Sequence, residues 1–330
     1  MNSLGQLARN IAQSTGLAHK RDIAAVVDIL SRSAPLHQNR AIALGDDCAA
    51  IADGNGYLLL ATEGFLNEFV ATQPWFAGYC GVMVNVSDIY AMGGRPIAVV
   101  DAIWSEGEAK ARPILEGLAA ASAVYGVPVV GGHSNTRNDR PQLSVAILGR
   151  AEKLLSSFAA QAGQKLLAAV DLRGHFREPH NWWDASSNAP PERLRADLEL
   201  LPLLAESGLC AAAKDISMAG LIGTVLMLLE CSGLGGVIDI AAIPRPPGVE
   251  LERWLRCFPS YGFILSAKDE HSEAIIEHFS RRGITCAVIG TTDNSGQLHL
   301  ADASDQALLW DLNDEPLTGC NKMQHHETAS

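Results

Sequence analysis

Four acidic sites, five residues in all, stand out for chemistry. They are Asp46 and Asp47 in "LGDDCAA", Glu63 in "LLLATEG", Asp88 in "NVSDIYAMGG" and Asp215 in "AKDISMAG". Each follows or interrupts an apolar segment, beside a glycine or at an element end. A carboxylate placed there sits on a rigid support and is aimed into a cleft. Converging oxygens of this kind suit Mg²⁺, which takes carboxylates together with phosphate oxygens and water. Asp46 and Asp215 are equally open to a local reading, as helix caps or turn formers. Asp88 differs, because it lies within a helical apolar run and a buried carboxylate needs a metal, an arginine or a hydrogen-bond network. Asn85 precedes it by three residues and shares its helix face.

A second group is "VVGGHSNT", where Gly131, Gly132, His133 and Ser134 follow a strand. Backbone N–H groups in a glycine-rich turn can cradle phosphate, while His133 reads equally as a loop histidine bonded to nearby backbone. The stretch fits neither a Walker A loop nor the dinucleotide fingerprint. "TGLAHKRDI" places His19, Lys20 and Arg21 just before a helix, with Lys20 read either as a phosphate contact or as a solvated side chain. Trp182 and Trp183, in the polar stretch 174–191, either pack that stretch down or stack on a ligand. A connection of that length is read as a lid, a binding loop or a disordered segment.

The elements that must position these residues alternate. A helix is expected over 21–34, ended by Pro35. Strands are expected at 41–44, 57–62, 96–104, 127–132 and 142–149, with helices at 75–92 and 106–125 between them. This pattern favours an α/β layer. After a connection at 154–164, strands at 165–172, 235–240, 261–267 and 284–290 mix with helices at 192–206, 218–230 and 269–280. The expected division is 1–152, 153–317 and a flexible tail at 318–330.

The 330 residues carry a formal charge of −12, with 48% hydrophobic and 19% charged residues. No basic stripe exists to neutralise a nucleic-acid backbone. A phosphorylated small molecule remains compatible, since Mg²⁺ supplies positive charge. Seven scattered cysteines, none in a C-x-x-C pair, read as reduced thiols of a cytoplasmic protein. No apolar run reaches membrane-spanning length, and no signal peptide is recognised.

Together the motifs resemble the superfamily of aminoimidazole ribonucleotide (AIR) synthase, selenophosphate synthetase and thiamine monophosphate kinase. "GDDCAAI", "NVSDIYAMGGRP", "GGHSNT", "KDISMAGLIGTVLMLLECSGLGGVID" and "YGFILSA" with "AVIG" follow its motif order over nearly the whole chain. They are closest to the selenophosphate synthetase form. The resemblance implies an N-terminal α/β domain that forms a barrel at a homodimer interface and a C-terminal α+β domain. ATP lies in the cleft between them, on Mg²⁺. Asp47, Asp88 and Asp215 match metal-binding aspartates, Asp46 adjoins them, and Glu63 stands in place of another. Asn85 matches the asparagine beside Asp88, and Gly131 to Ser134 match the nucleotide-side loop. Lys20, four residues after Gly16, matches a catalytic lysine. The cysteine expected near that lysine is absent, and the "DISMAGLIGTV" segment lacks a histidine and a glycine of the usual pattern. The implied activity is Mg²⁺-dependent phosphate transfer from ATP to a small molecule, or its activation by phosphorylation. The alternatives are a non-catalytic nucleotide-binding relative serving a partner enzyme, and selenophosphate synthesis itself.

Overall fold

The computed structural model describes residues 4–31 and 42–320. Two helices come first, α1 (Leu4–Ala12) and α2 (Thr15–Ser31). A hairpin follows, β1 (Ala49–Asp53) and β2 (Gly56–Gly64), then α3 (Asn67–Thr72), α4 (Pro74–Ala91), β3 (Arg95–Glu106), α5 (Glu108–Tyr125), β4 (Val129–Asn135) and β5 (Arg137–Ala151). The chain continues through β6 (Lys165–Val170), β7 (His175–Phe176), β8 (Trp182–Asp184), α6 (Pro191–Leu198), α7 (Leu200–Glu206), β9 (Ala212–Asp215), α8 (Gly220–Ser232), β10 (Gly235–Asp239) and α9 (Leu251–Leu255). It closes with β11 (Phe258–Pro259), β12 (Gly262–Ala267), α10 (Asp269–Arg281), β13 (Thr285–Asp293), β14 (Gln297–Ala301) and β15 (Gln306–Asp311).

These elements form two compact units, each assembled from separate stretches of chain. The α4 unit comprises Asp47–Lys153 and Asn188–Leu203; the α8 unit comprises Met1–Asp46, Leu154–Ser187 and Leu204–Ser330. The expected cut at 152–153 lies beside the crossing at Lys153–Leu154. The crossing at Asp46–Asp47 and the excursion of 188–203 have no counterpart in that expectation.

The α4 unit is built on one open, mixed sheet, ordered β1-β2-β5-β3-β4, in which only β3 and β4 run parallel. Proline at the first position starts α4, which is buried on nearly every side. Two glycines let it pack closely: a Cβ at Gly78 would strike the Ile114 carbonyl of α5, and one at Gly117 of α5 would strike the Trp75 carbonyl. Gly126 ends α5 in the left-handed conformation, φ 71°. The opposite sheet face is apolar and open. Leu60 and Leu148 pair across strands there, 48% and 36% exposed, and Ile51 and Val100 continue that face.

The α8 unit has a seven-stranded sheet, ordered β15-β14-β10-β13-β6-β12-β9, and a small sheet, β11-β8-β7. Its core joins α1, α8, β6 and β14. Residues 42–44 form turn and bend rather than a strand, because Gly45 at φ +117° breaks the extended run. Ala41 and Pro35 lie outside the described residues. The helix expected over 192–206 is split at Glu199.

Residues 174–191 are not wholly irregular. They supply β7 and β8, and Trp183 is buried with its Nε1–H donated to the Asp171 carbonyl at 2.9 Å. Trp182 stacks on His180, ring centroids 4.0 Å apart. Thr318–Cys320, expected to fray with the tail, are buried or half-buried and held in place, whereas 321–330 lie outside the described residues.

Candidate metal centre

Two of the expected ligands meet within the α4 unit. Asp88 sits one turn before the end of α4 and is 6% exposed; Asp47 lies half-buried in the turn that leads into β1. Their carboxylate oxygens lie within 4.8 Å of one another. Two carboxylates this close repel, and each raises the other's need for a compensating positive charge. Hard oxygen donors in such a pair fit Mg²⁺ by charge and by donor type.

Asn85 is fully buried one turn earlier, and its amide is engaged in packing. Nδ2 donates to the Gly81 carbonyl at 2.8 Å and to the Val145 carbonyl of β5 at 3.1 Å, stapling α4 to the sheet. Its Oδ1 is buried and receives no hydrogen bond among the described residues. The nitrogen is thus committed to packing, and the oxygen is the atom left for a ligand.

Asp46 departs from the expectation of a metal ligand. Its Oδ2 accepts from Ser156 Oγ at 2.7 Å and Ser157 N at 3.0 Å, and its Oδ1 accepts from Ser157 Oγ at 2.7 Å. These donors anchor the carboxylate within the α8 unit. Consecutive aspartates in a turn thus point to different neighbours. Glu63 lies on the helix-facing side of β2 opposite Val145, and is not gathered with Asp47 and Asp88.

The glycine-rich stretch is a strand rather than a turn. Gly131, Gly132, His133 and Ser134 pair in parallel with Val100, Asp101, Ala102 and Ile103 of β3. β4 is exposed along its length and forms an edge of the sheet. Gly132 makes room for a neighbour: a Cβ there would lie 2.5 Å from Asp101 Oδ1. Burial pushes the Asp101 carboxyl above its ordinary value. Asp101 was not singled out from sequence, although its place inside "VVDAIW" is the same kind of signal as that of Asp88.

In the α8 unit, Asp215 ends β9 and is 5% exposed. Its neighbour Lys214 is buried as well, another residue that sequence reasoning passed over. Lys20 lies inside α2, which begins at Thr15, and not ahead of the helix as expected. α2 docks on the segment after Asp215: a Cβ at Gly16 would lie 2.6 Å from the Met218 carbonyl. Among the described residues no helix is long and apolar enough to cross a membrane.

Comparison with known proteins bears on the family and the fold. Residues 45–151 match the AIR synthase related protein N-terminal domain, and 161–302 match the corresponding C-terminal domain. The chain is 47% identical to an uncharacterized protein of Synechocystis over 96% of its own length and 98% of the relative's. It is 34% identical to one of Methanocaldococcus jannaschii, over 84% and 86%. A selenide, water dikinase of Yersinia pestis is 25% identical over 74% and 75%. Among solved structures, T. maritima PurL complexed with ADP superposes with a TM-score of 0.70 at 19% identity, covering 87% of this chain and 48% of that one. The chain thus spans about half of PurL's length. A ThiL protein complexed with AMPPCP and TMP gives a TM-score of 0.64 at 18% identity, over 85% and 94%. These two likenesses establish the shared fold. With both domain models matched in order, and relatives of 47% and 34% identity aligned over 98% and 86% of their length, the chain belongs to the AIR synthase superfamily.

Proposed function

We propose that this protein is an Mg²⁺-dependent, ATP-using enzyme that transfers phosphate to a small molecule or activates it by phosphorylation. The observation that carries the reading is the pair Asp47 and Asp88, two carboxylates converging at the end of a buried helix. Support comes from relatives whose names or bound ligands involve ATP chemistry: a selenide, water dikinase, PurL with ADP and ThiL with AMPPCP.

Asp47 and Asp88 hold the metal. Asp215 is a further ligand on the strength of its "DISMAG" resemblance, and Glu63 is held in the same role by resemblance alone. Mg²⁺, when bound, neutralises phosphate charge. Catalysis in this class rests on positioning and charge neutralisation. Lys20 orients the transferred group, while the exposed backbone of Gly131–Ser134 and the His133 ring contact phosphate. The apolar sheet face of the α4 unit is the homodimer surface, where a second copy closes the open sheet into a barrel; exposed apolar patches of this kind mark interfaces. The enzyme acts in the cytoplasm, where reduced thiols persist.

The test is nucleotide binding with and without Mg²⁺, followed by thermal shift in wild type and Asp88→Asn. Mg²⁺-dependent binding that the substitution abolishes is the expected result. Tight binding indifferent to both Mg²⁺ and Asp88 overturns the metal assignment.

A further inference from the structure

The α8 unit holds two cysteines that the phosphate chemistry does not use. Cys231 is the penultimate residue of α8, and Cys320 follows the last strand. Both are buried and pack with Val27 of α2 in a small cluster of their own. Both sulfurs lie within 4.0 Å of the point where a Cβ on Gly45 would stand. Cys231 Sγ donates to the Gly45 carbonyl at 3.8 Å, and Thr318 Oγ1 lies 3.0 Å from Cys320 Sγ. Gly45 is pressed against the pair, since a Cβ there would collide with Cys320 Sγ.

A second device holds the sulfurs together. Glu230, the residue before Cys231, receives the backbone preceding Cys320. Its Oε1 accepts from Leu317 N at 2.8 Å and Gly319 N at 3.0 Å; its Oε2 accepts from Thr318 N at 2.8 Å and Thr318 Oγ1 at 2.5 Å. The two thiols, 89 positions apart in sequence, are thereby pre-positioned (231 to 320). They are also unlike. The neighbouring Cys231 thiol holds the Cys320 thiol down against its burial, with Thr318 and Lys214 assisting and the Glu230 charge opposing. The neighbouring Cys320 thiol, together with burial, pushes Cys231 up. Cys231 Sγ is turned as a donor to a carbonyl while Cys320 Sγ faces a hydroxyl, which divides a resolving from an attacking thiol.

We propose that Cys231 and Cys320 form a reversible redox site, in which oxidation by a small-molecule disulfide joins them and fastens residues 317–320 to the end of α8. Cys320 attacks one sulfur of the small disulfide and expels the other as a thiolate. Cys231 then loses its proton, attacks the Cys320 sulfur and expels the second small thiolate. Two protein thiols become one disulfide, the small disulfide becomes two thiols, and the two protons pass to the leaving groups. The sulfurs are reached by local opening of the 317–320 segment from Glu230, well short of global unfolding. The cross-link closes a long loop and stabilises by constraining the unfolded chain.

The experiment treats the whole protein with oxidised glutathione, then measures intact mass, maps peptides and records the thermal midpoint. Wild type is expected to lose two hydrogens, to yield a Cys231–Cys320 peptide, and to melt about 5 °C higher until reduced. Cys231→Ser is expected to stop at one glutathione on Cys320, and Cys320→Ser to take up none at Cys231. Seven thiols still open to alkylation in denaturant after treatment, or a cross-link between other cysteines, overturn the site. Glutathione on Cys231 in Cys320→Ser overturns the division of roles. A correct cross-link with an unchanged midpoint overturns the fastening.

Discussion

α4 and α8 are both apolar on nearly every face, and each buries a carboxylate near its C-terminal end. They resolve that burial in opposite ways. Glu230 accepts three backbone N–H groups and a hydroxyl from residues 317–319, so its charge is spread over local donors. Asp88 lies beside a second carboxylate, Asp47, which deepens the demand for a cation. The contrast recurs one residue apart, where Asp46 is engaged by Ser156 and Ser157 while Asp47 approaches Asp88. A buried acid is thus no sign of a metal site by itself. What differs is the neighbour: hydrogen-bond donors gather on Glu230, and a second carboxylate stands beside Asp88.

The comparison breaks most readily at Glu230. Glu230→Ala removes the acceptor for three backbone donors and should destabilise the protein by about 3–5 kcal/mol in chemical denaturation. A loss below about 1 kcal/mol would mean that the latch carries no weight. Asp88→Asn should show the reverse signature. Without metal its stability should stay within about 1 kcal/mol of wild type, because a like-charge contact is relieved. The Mg²⁺-ATP stabilisation, about 2.7 kcal/mol at a hundredfold excess over Kd, should vanish. If the metal-free protein is instead the one that suffers, Asp88 belongs with Glu230. Asp46→Ala should cost about 1–3 kcal/mol by stranding the Ser156 and Ser157 donors, with Mg²⁺-ATP affinity near wild type in calorimetry. A lost affinity at full stability would return Asp46 to the metal. Lys20→Met should change stability by no more than about 0.5 kcal/mol and lower only ATP turnover. Unchanged turnover would remove Lys20 from the chemistry.

Much of the α4 unit was legible in the sequence because its signals are local. Pro74, the apolar run to Ala91, the Gly93–Gly94 stop and the Gly126 cap each act within a few residues of themselves. Asp88 was legible for the same reason, as a polar residue in a segment that had to be buried. The α8 unit was read less well, because its decisive partners are distant. Asp46 is separated from its serine partners by 110 and 111 residues, so nothing nearby distinguishes it from Asp47. Trp183 is pinned through the Asp171 carbonyl and packs on Trp254, so of its two readings the packing one describes it. The strand expected over 127–132 runs on through Asn135, where the residues after Gly-Gly were read as a turn and pairing with β3 overrode that local signal.

The stitching of the α8 unit also bears on how the chain acquires its shape during synthesis. α1 buries Leu4, Leu7, Ala8 and Ile11 in a core that includes Leu309 and Trp310 of β15. It leaves the ribosome about 300 residues before that strand exists. The helix therefore waits with its apolar side unsheltered while the α4 sheet, made from a nearly continuous stretch, can close behind it. A slowed or truncated translation product would expose α1 first, which makes it a natural handle for a chaperone that binds nascent amphipathic helices.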